Sequence, residues 1–243
     1  MNLFALFALC FVPPIAFLAL FSLCFEKSVP FKYALSCFFG LLTLAPSSFL
    51  QYFALKIPIF QNSTFFSVFF TAIVFNGLIE EVFKLSFIAL VPKKNQNLWT
   101  FFCCSILLGA AAGSLETAIY ASSSLRKIAL VSAQTDALRL IFLRMCSAQT
   151  IHILSAALLG IFVWGCAGKI RHAILFCYAV FLHGLFNFFI AFDGGMKFFS
   201  LAVIFFALAE CRVWYKIVKN EEFEDKKTAD FFTKSVDTTA RKR

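Results

Sequence analysis

Two adjacent carboxylates and a lysine, Glu80, Glu81 and Lys84, lie inside an apolar run from about Thr64 to Val91. Such a run is long enough to span a bilayer, which takes roughly 20 apolar residues. A charge near the bilayer centre costs about 2.5–3.5 kcal/mol on insertion scales, so a helix serving only as an anchor gains nothing from three of them. Glu80 and Lys84 are four apart, share a helix face and can pair, with the acid on the N-terminal side. Glu81 points about 100° round the helix and has no local partner. Ionisable groups at this depth mark a functional site by default. The plainer alternative is a structural ion pair beside a spare carboxylate.

The other strongly polar residues at depth are Glu116, Arg144, His152, His183 and Asn187, with Glu210 near the end of the last apolar run. Glu210 apart, these residues and Glu80, Glu81 and Lys84 fall on the third to the sixth runs, and the first two runs carry none at depth. A rise of 1.5 Å per residue puts Glu80 about 16 Å in from one membrane face, His152 about 20 Å and His183 about 17 Å. These three share a level near the bilayer middle. Glu116 comes out at about 27 Å if its helix starts at Leu98, and level with them if it starts near Cys103. Gly109, Ala112, Gly113 and Glu116 recur at i, i+3, i+4 and i+7, a small-residue face that lets another helix approach closely. His183 and Asn187 share a face at i and i+4. Arg144 lies two turns before His152, placed either to neutralise a carboxylate or to snorkel outward.

Carboxylates and imidazoles in a water-poor core suit three kinds of chemistry. A carboxylate can take a proton from water while His or Asn holds an oxyanion. His and Glu can bind zinc. The same groups can relay protons.

The elements that must position these residues are helices. The chain has 243 residues, 61% hydrophobic and 14% charged, with 36 phenylalanines. That composition belongs to an integral membrane protein. In lipid the backbone must satisfy its own hydrogen bonds, which makes the spans helical. The reading is an all-α polytopic transmembrane bundle of about seven spans, near 2–25, 32–55, 64–91, 98–121, 138–165, 172–190 and 197–217. Pro13, Pro14 and Pro46 should kink the first two. A single domain over 1–220 holds a core at about 64–190. Residues 221–243 read as a polar, disordered cytoplasmic tail, and the Ser122–Ala137 loop as the longest connection.

Net charge is +9, but the bases sit in short loops and the tail. That is the pattern of membrane topology rather than of nucleic-acid binding. The bias places the N-terminus outside and the C-terminus in the cytoplasm. The nine cysteines form no CxxC pair, and most lie in apolar runs, where free Cys acts as a small apolar residue. His172, at a loop edge beside Arg171, reads as part of the same topology signal.

Four motifs in order on successive helices carry a resemblance. Glu80-Glu81-Val82-Phe83-Lys84 fits an EExxK motif. Glu116, within Gly113-Ser114-Leu115-Glu116, fits FxxxE, with Ala112 where the pattern has Phe. Arg144 followed by His152 fits a His helix. His183-Gly184-Leu185-Phe186-Asn187 fits HxxxD, with Asn in place of Asp. The chain from about Thr64 to Ile190 thereby resembles the PrsW family of intramembrane proteases, within the CAAX protease and bacteriocin-processing superfamily.

The resemblance implies an intramembrane peptidase in a bacterial cytoplasmic membrane that cuts membrane-anchored protein substrates, with the lipid bilayer as its medium and no nucleic acid as partner. It implies Glu80, Glu81, Glu116, His152, His183 and Asn187 as catalytic residues, with Lys84 and Arg144 in support. The superfamily has been described both as metal-dependent and as glutamate proteases. Two deep histidines and no HExxH pair favour glutamate-activated water without a cofactor. If divalent zinc is bound, Glu116, His152 and His183 are the candidate ligands. The rival readings are a proton-coupled transporter or channel built on the same Glu and His groups, and a non-catalytic membrane scaffold.

Overall fold

A computed structural model describes residues 3–24, 30–60, 64–127, 132–165 and 170–240, and the regular structure among them is helical throughout. The N-terminal helices α1 (Leu3–Cys10) and α2 (Val12–Cys24) meet at Phe11 with a 48° bend. Pro13 and Pro14 lie in the first turn of α2, where a missing backbone N–H costs nothing. Helix α3 (Pro30–Ala54) runs unbroken through Pro46.

The span that carries the paired glutamates has three parts. Helix α4 (Phe65–Thr71) is capped by the Thr64 hydroxyl, which accepts from Ser67 N at 3.3 Å. A π-helical segment (Ala72–Ile79) follows, and α5 (Glu80–Ala89) completes the span. A π segment inside an α-helix leaves backbone carbonyls less regularly paired. Gln51 of α3 reaches across to donate to one of them, Phe75 O, at 3.1 Å.

Helix α6 (Leu98–Lys127) and α8 (Ala148–Gly165) form the centre of the bundle, with α3 against α6 and with α5, α9 (Ile174–Ile190) and α10 (Phe199–Ala240) against α8. Helix α7 (Ser132–Cys146) leads into α8 through a break at Ser147, whose hydroxyl donates to Leu143 O at 2.6 Å. Leu107, Leu108, Ile151, Leu158, Leu159 and Ile161 fill the core between α6 and α8. Large apolar side chains such as Phe4, Phe31, Phe66 and Phe205 cover the outside. An outside this apolar suits a lipid medium.

Small residues set the close helix contacts. The face containing Gly109 packs on α8, where an added Cβ would lie 2.4 Å from His152 O. On the other side, Gly77 of the π segment and Gly184 of α9 face each other's helices. A Cβ on Gly77 would sit 2.5 Å from Val180 O, and one on Gly184 would sit 2.8 Å from Ile73 Cα.

Four expectations change. Among the described residues, four helices are long and apolar enough to cross a membrane, or five with the bent α1–α2 pair counted as one span. The count of seven is not reached because Ile174–Ile190 has only 17 residues and because Glu210, Arg212 and Lys216 break the apolar stretch of α10. The tail expected to be disordered is helical to Ala240. It contains neither Gly nor Pro and is rich in Glu and Lys, which are good helix formers, and Glu221 sits 3.3 Å from His172 Nε2. His172, expected at a loop edge as part of the topology signal, is therefore a fully buried docking residue. The long loop is also shorter than expected, since α6 runs to Lys127 and α7 begins at Ser132; residues 128–131 lie outside the described residues.

The Gly77 contact yields a direct test. Gly77→Ala forces a carbon against a backbone oxygen, an overpacking worth about 1–3 kcal/mol, and should lower the thermal unfolding midpoint in detergent. Gly195→Ala, where a Cβ meets nothing within 4 Å, should leave it unchanged. Equal midpoints for the two variants would contradict the close packing.

Candidate active site

The side chains of Glu80, Glu81, Lys84, Glu116, Arg144, His152 and His183 converge between α5, α6, α8 and α9. Glu81 is fully buried and its Oε1 is an acceptor three times over. Lys84 Nζ donates at 2.5 Å, His183 Nδ1 at 2.6 Å and Ser155 Oγ at 3.0 Å. Glu81 Oε2 is buried without a hydrogen-bond partner. An ammonium on Oε1 fixes Glu81 as the ionised acceptor, so the Nδ1 of His183 must carry the proton. The expected Glu80–Lys84 pair is thus replaced by Glu81–Lys84 at i, i+3. Both spacings put the acid beside the lysine, and the further donors from α8 and α9 decide for Glu81.

Glu80 takes a different set of neighbours. Gln51 Nε2 donates to its Oε1 at 3.0 Å, while its Oε2 is 3.9 Å from His183 Nε2, too far for a hydrogen bond. Its side chain keeps 11% of its surface exposed, against none for Glu81.

His152 mirrors His183. Its Nε2 lies 2.6 Å from Glu116 Oε2, and the same oxygen takes Arg144 Nη2 at 3.0 Å. Arg144 in turn stacks over the Tyr120 ring at 4.0 Å. An oxygen held by a guanidinium is an acceptor, so the proton on His152 is at Nε2. Its Nδ1 is buried with no partner. The two imidazole rings meet edge to face, with centroids 4.6 Å apart.

Each histidine therefore spends its N–H on a carboxylate and has a lone pair left over, at Nδ1 of His152 and Nε2 of His183. Glu80, His152 and His183 each bring a ligand atom within 4.8 Å of the others. Two ring lone pairs beside a carboxyl group suit a cation or the protons of water.

Asn187 stands one turn beyond His183. Its Nδ2 donates to His183 O at 3.2 Å, which leaves the second N–H of the amide for other partners. With Asn76, Thr71, Ala72 and Phe60 it lines a cavity of about 200 Å³. Asn187 is thus beside the cluster rather than in it.

Reading the sequence missed Gln51, Ser155 and Asn76. Gln51 lies in a run expected to carry nothing polar at depth, and the amide at position 51 was the only signal it offered. Ser155 follows His152 at i+3, on the same face, but a serine in a span is unremarkable by itself. Glu210 lies apart from the site and accepts from Trp214 Nε1 at 3.0 Å.

A helical membrane bundle with buried carboxylate–imidazole pairs suits hydrolysis within the membrane. The chain belongs to the PrsW family: the model described as PrsW family intramembrane metalloprotease matches residues 30–209, well over half of its length. No curated protein and no solved structure matches it. The family is an intramembrane protease family, and the matched region contains every residue of the cluster.

The family description implies a metal, and the donor set fits one. Two imidazole lone pairs and one carboxylate make a His₂Glu set, which in catalytic zinc sites leaves a fourth position open. Metal-bound imidazoles need their other nitrogen on a second-shell acceptor, and Glu81 and Glu116 supply it. Tetrahedral ligands at about 2.0–2.2 Å from zinc stand about 3.3–3.6 Å apart, so these atoms, within 4.8 Å of one another, close on an ion by drawing in by about 1 Å. The third ligand of this set is Glu80. Glu116, the expected candidate, is taken up by Arg144 and His152.

Removing one partner of a buried ion pair costs about 3–5 kcal/mol, because the other charge is left uncompensated. Glu81→Gln should therefore lower the unfolding midpoint strongly, and adding Lys84→Met should recover part of the loss. Glu80→Gln, which strands no cation, should leave the midpoint near that of the parent. Similar midpoints for Glu81→Gln and Glu80→Gln would contradict the division of roles.

Proposed function

We propose that this protein is an endopeptidase that hydrolyses a peptide bond of a membrane-anchored protein substrate, with the attacking water held among Glu80, His152 and His183. The observation that carries this reading is the cluster of Glu80, His152 and His183, whose ligand atoms lie within 4.8 Å of one another with a lone pair free on each ring. Glu80 accepts a proton from the water as the oxygen attacks the carbonyl carbon. The carbonyl electron pair moves onto the oxygen, where the free N–H of Asn187 donates to it. Collapse breaks the C–N bond, and the proton on Glu80 passes to the leaving amine. Gln51 holds the Glu80 carboxylate in place, while Glu81 and Glu116 hold the two rings. The cavity beside Asn187 and Asn76 is the place for a substrate side chain next to the cut bond.

The same cluster favours a second reading, in which Glu80, His152 and His183 hold a divalent cation that polarises the water. The chain lies in a bacterial cytoplasmic membrane with its N-terminus outside and its C-terminus in the cytoplasm, as the distribution of Lys and Arg supports.

The test is cleavage of a transmembrane substrate by purified protein in proteoliposomes, after chelation and with metal content measured in parallel. Full activity without metal, lost in Glu80→Gln, is the expected result for Glu80 as the base. Loss on chelation that stoichiometric zinc restores establishes the cation reading. Proton or solute flux that depends on Glu80, with no cleavage, would replace the protease by a transporter. A cellular phenotype unaffected by Glu80→Gln would indicate a scaffold.

A further inference from the structure

A second cavity, of about 550 Å³, opens between α6, α8 and α10, within the range of small-molecule sites. Phe102, Ile106, Ile153, Leu154, Ala157 and Leu208 form its floor. Ile153, Leu154 and Ala157 lie on the side of α8 turned away from His152, so the cavity has no part in the cluster above. Trp99 and Tyr215 stand at its mouth, with ring centroids 6.0 Å apart. Aromatic rings of this kind collect at the membrane–water boundary.

Around and beyond the rings the lining turns basic. Arg212, Lys216 and Lys219 follow one another at i, i+4 and i+7 on α10, exposed, and none is in an ion pair among the described residues. The lining contains no acidic residue. From Leu208 to Lys219 the helix rises about 16 Å, close to half of the roughly 30 Å hydrocarbon thickness. The cavity as a whole therefore spans about one leaflet along α10, apolar at Leu208 and basic from Arg212, about 6 Å further on, to Lys219.

We propose that this cavity is a binding site for an anionic phospholipid, with an acyl chain along the apolar floor and the phosphate between Arg212, Lys216 and Lys219. The apolar floor below the cations selects a lipid over free phosphate, and the basic lining without an acidic residue selects an anionic headgroup over a zwitterionic one. A basic residue near an anionic lipid surface contributes enough for roughly five-fold enrichment, and three act together here.

Trp99 reports on the site directly. The full chain is reconstituted in phosphatidylcholine vesicles that contain a minor fraction of phosphatidylglycerol with dibrominated acyl chains, or the same fraction of dibrominated phosphatidylcholine. Tryptophan quenching is expected to be greater with the brominated phosphatidylglycerol, corresponding to at least roughly five-fold higher occupancy. The excess should vanish in Trp99→Phe and in the triple variant Arg212→Gln, Lys216→Gln, Lys219→Gln. It should persist in the charge-preserving triple variant Arg212→Lys, Lys216→Arg, Lys219→Arg. Equal quenching by the two lipids would overturn the proposal, as would an excess that survives in the Gln variant or in Trp99→Phe.

Discussion

The ammonium of Lys84 on the Glu81 carboxylate is the interaction on which the rest of the site depends. Two charges in the middle of a bilayer oppose insertion unless they meet, and these two meet on one face of α5 at 2.5 Å. Once paired, Glu81 can only accept. Ser155 from α8 and His183 from α9 bring their donors to the same oxygen. One ion pair thus ties three helices together and fixes which nitrogen of His183 carries the proton.

Arg144 does the equivalent for His152 by way of Glu116. The result is an arrangement in which two carboxylates are committed to holding two imidazoles, while a third, Glu80, keeps an oxygen open. Adjacent residues take opposite roles because their surroundings differ. Glu81 faces a cation and two further donors, whereas Glu80 faces one amide and the lone pair of a ring. Positioning of this kind is what a hydrolytic site needs, since rings locked by a second shell do not have to reorganise during the reaction.

Much of this was legible in the sequence, and the reasons are physical. A fixed rise per residue put Glu80, His152 and His183 at one depth, and they are together. The spacing of Gly109, Ala112, Gly113 and Glu116 announced a close helix contact, and α8 makes it. What failed was the choice of partner. Glu80 and Glu81 both lie within pairing distance of Lys84, and only donors from two other helices separate them. The π segment before Glu80 is not announced by Asn76 and Gly77 alone, and Gln51 gains its role only once α3 lies against that segment. The last helix was misread because its polar stretch is disordered only if nothing docks it, and His172 with Glu221 does.

The most direct measurement is the protonation of the two ring nitrogens of His183. With only three histidines in the chain, nitrogen-15 imidazole spectra of the protein in lipid can be assigned by single substitution. With the site free of metal, the account predicts a proton on Nδ1 of His183, an unprotonated Nε2, and loss of that preference in Glu81→Gln. A proton on Nε2 in the parent protein would contradict it, because His183 would then point a donor at Glu80 and the cluster would have no lone pair there for water or a cation.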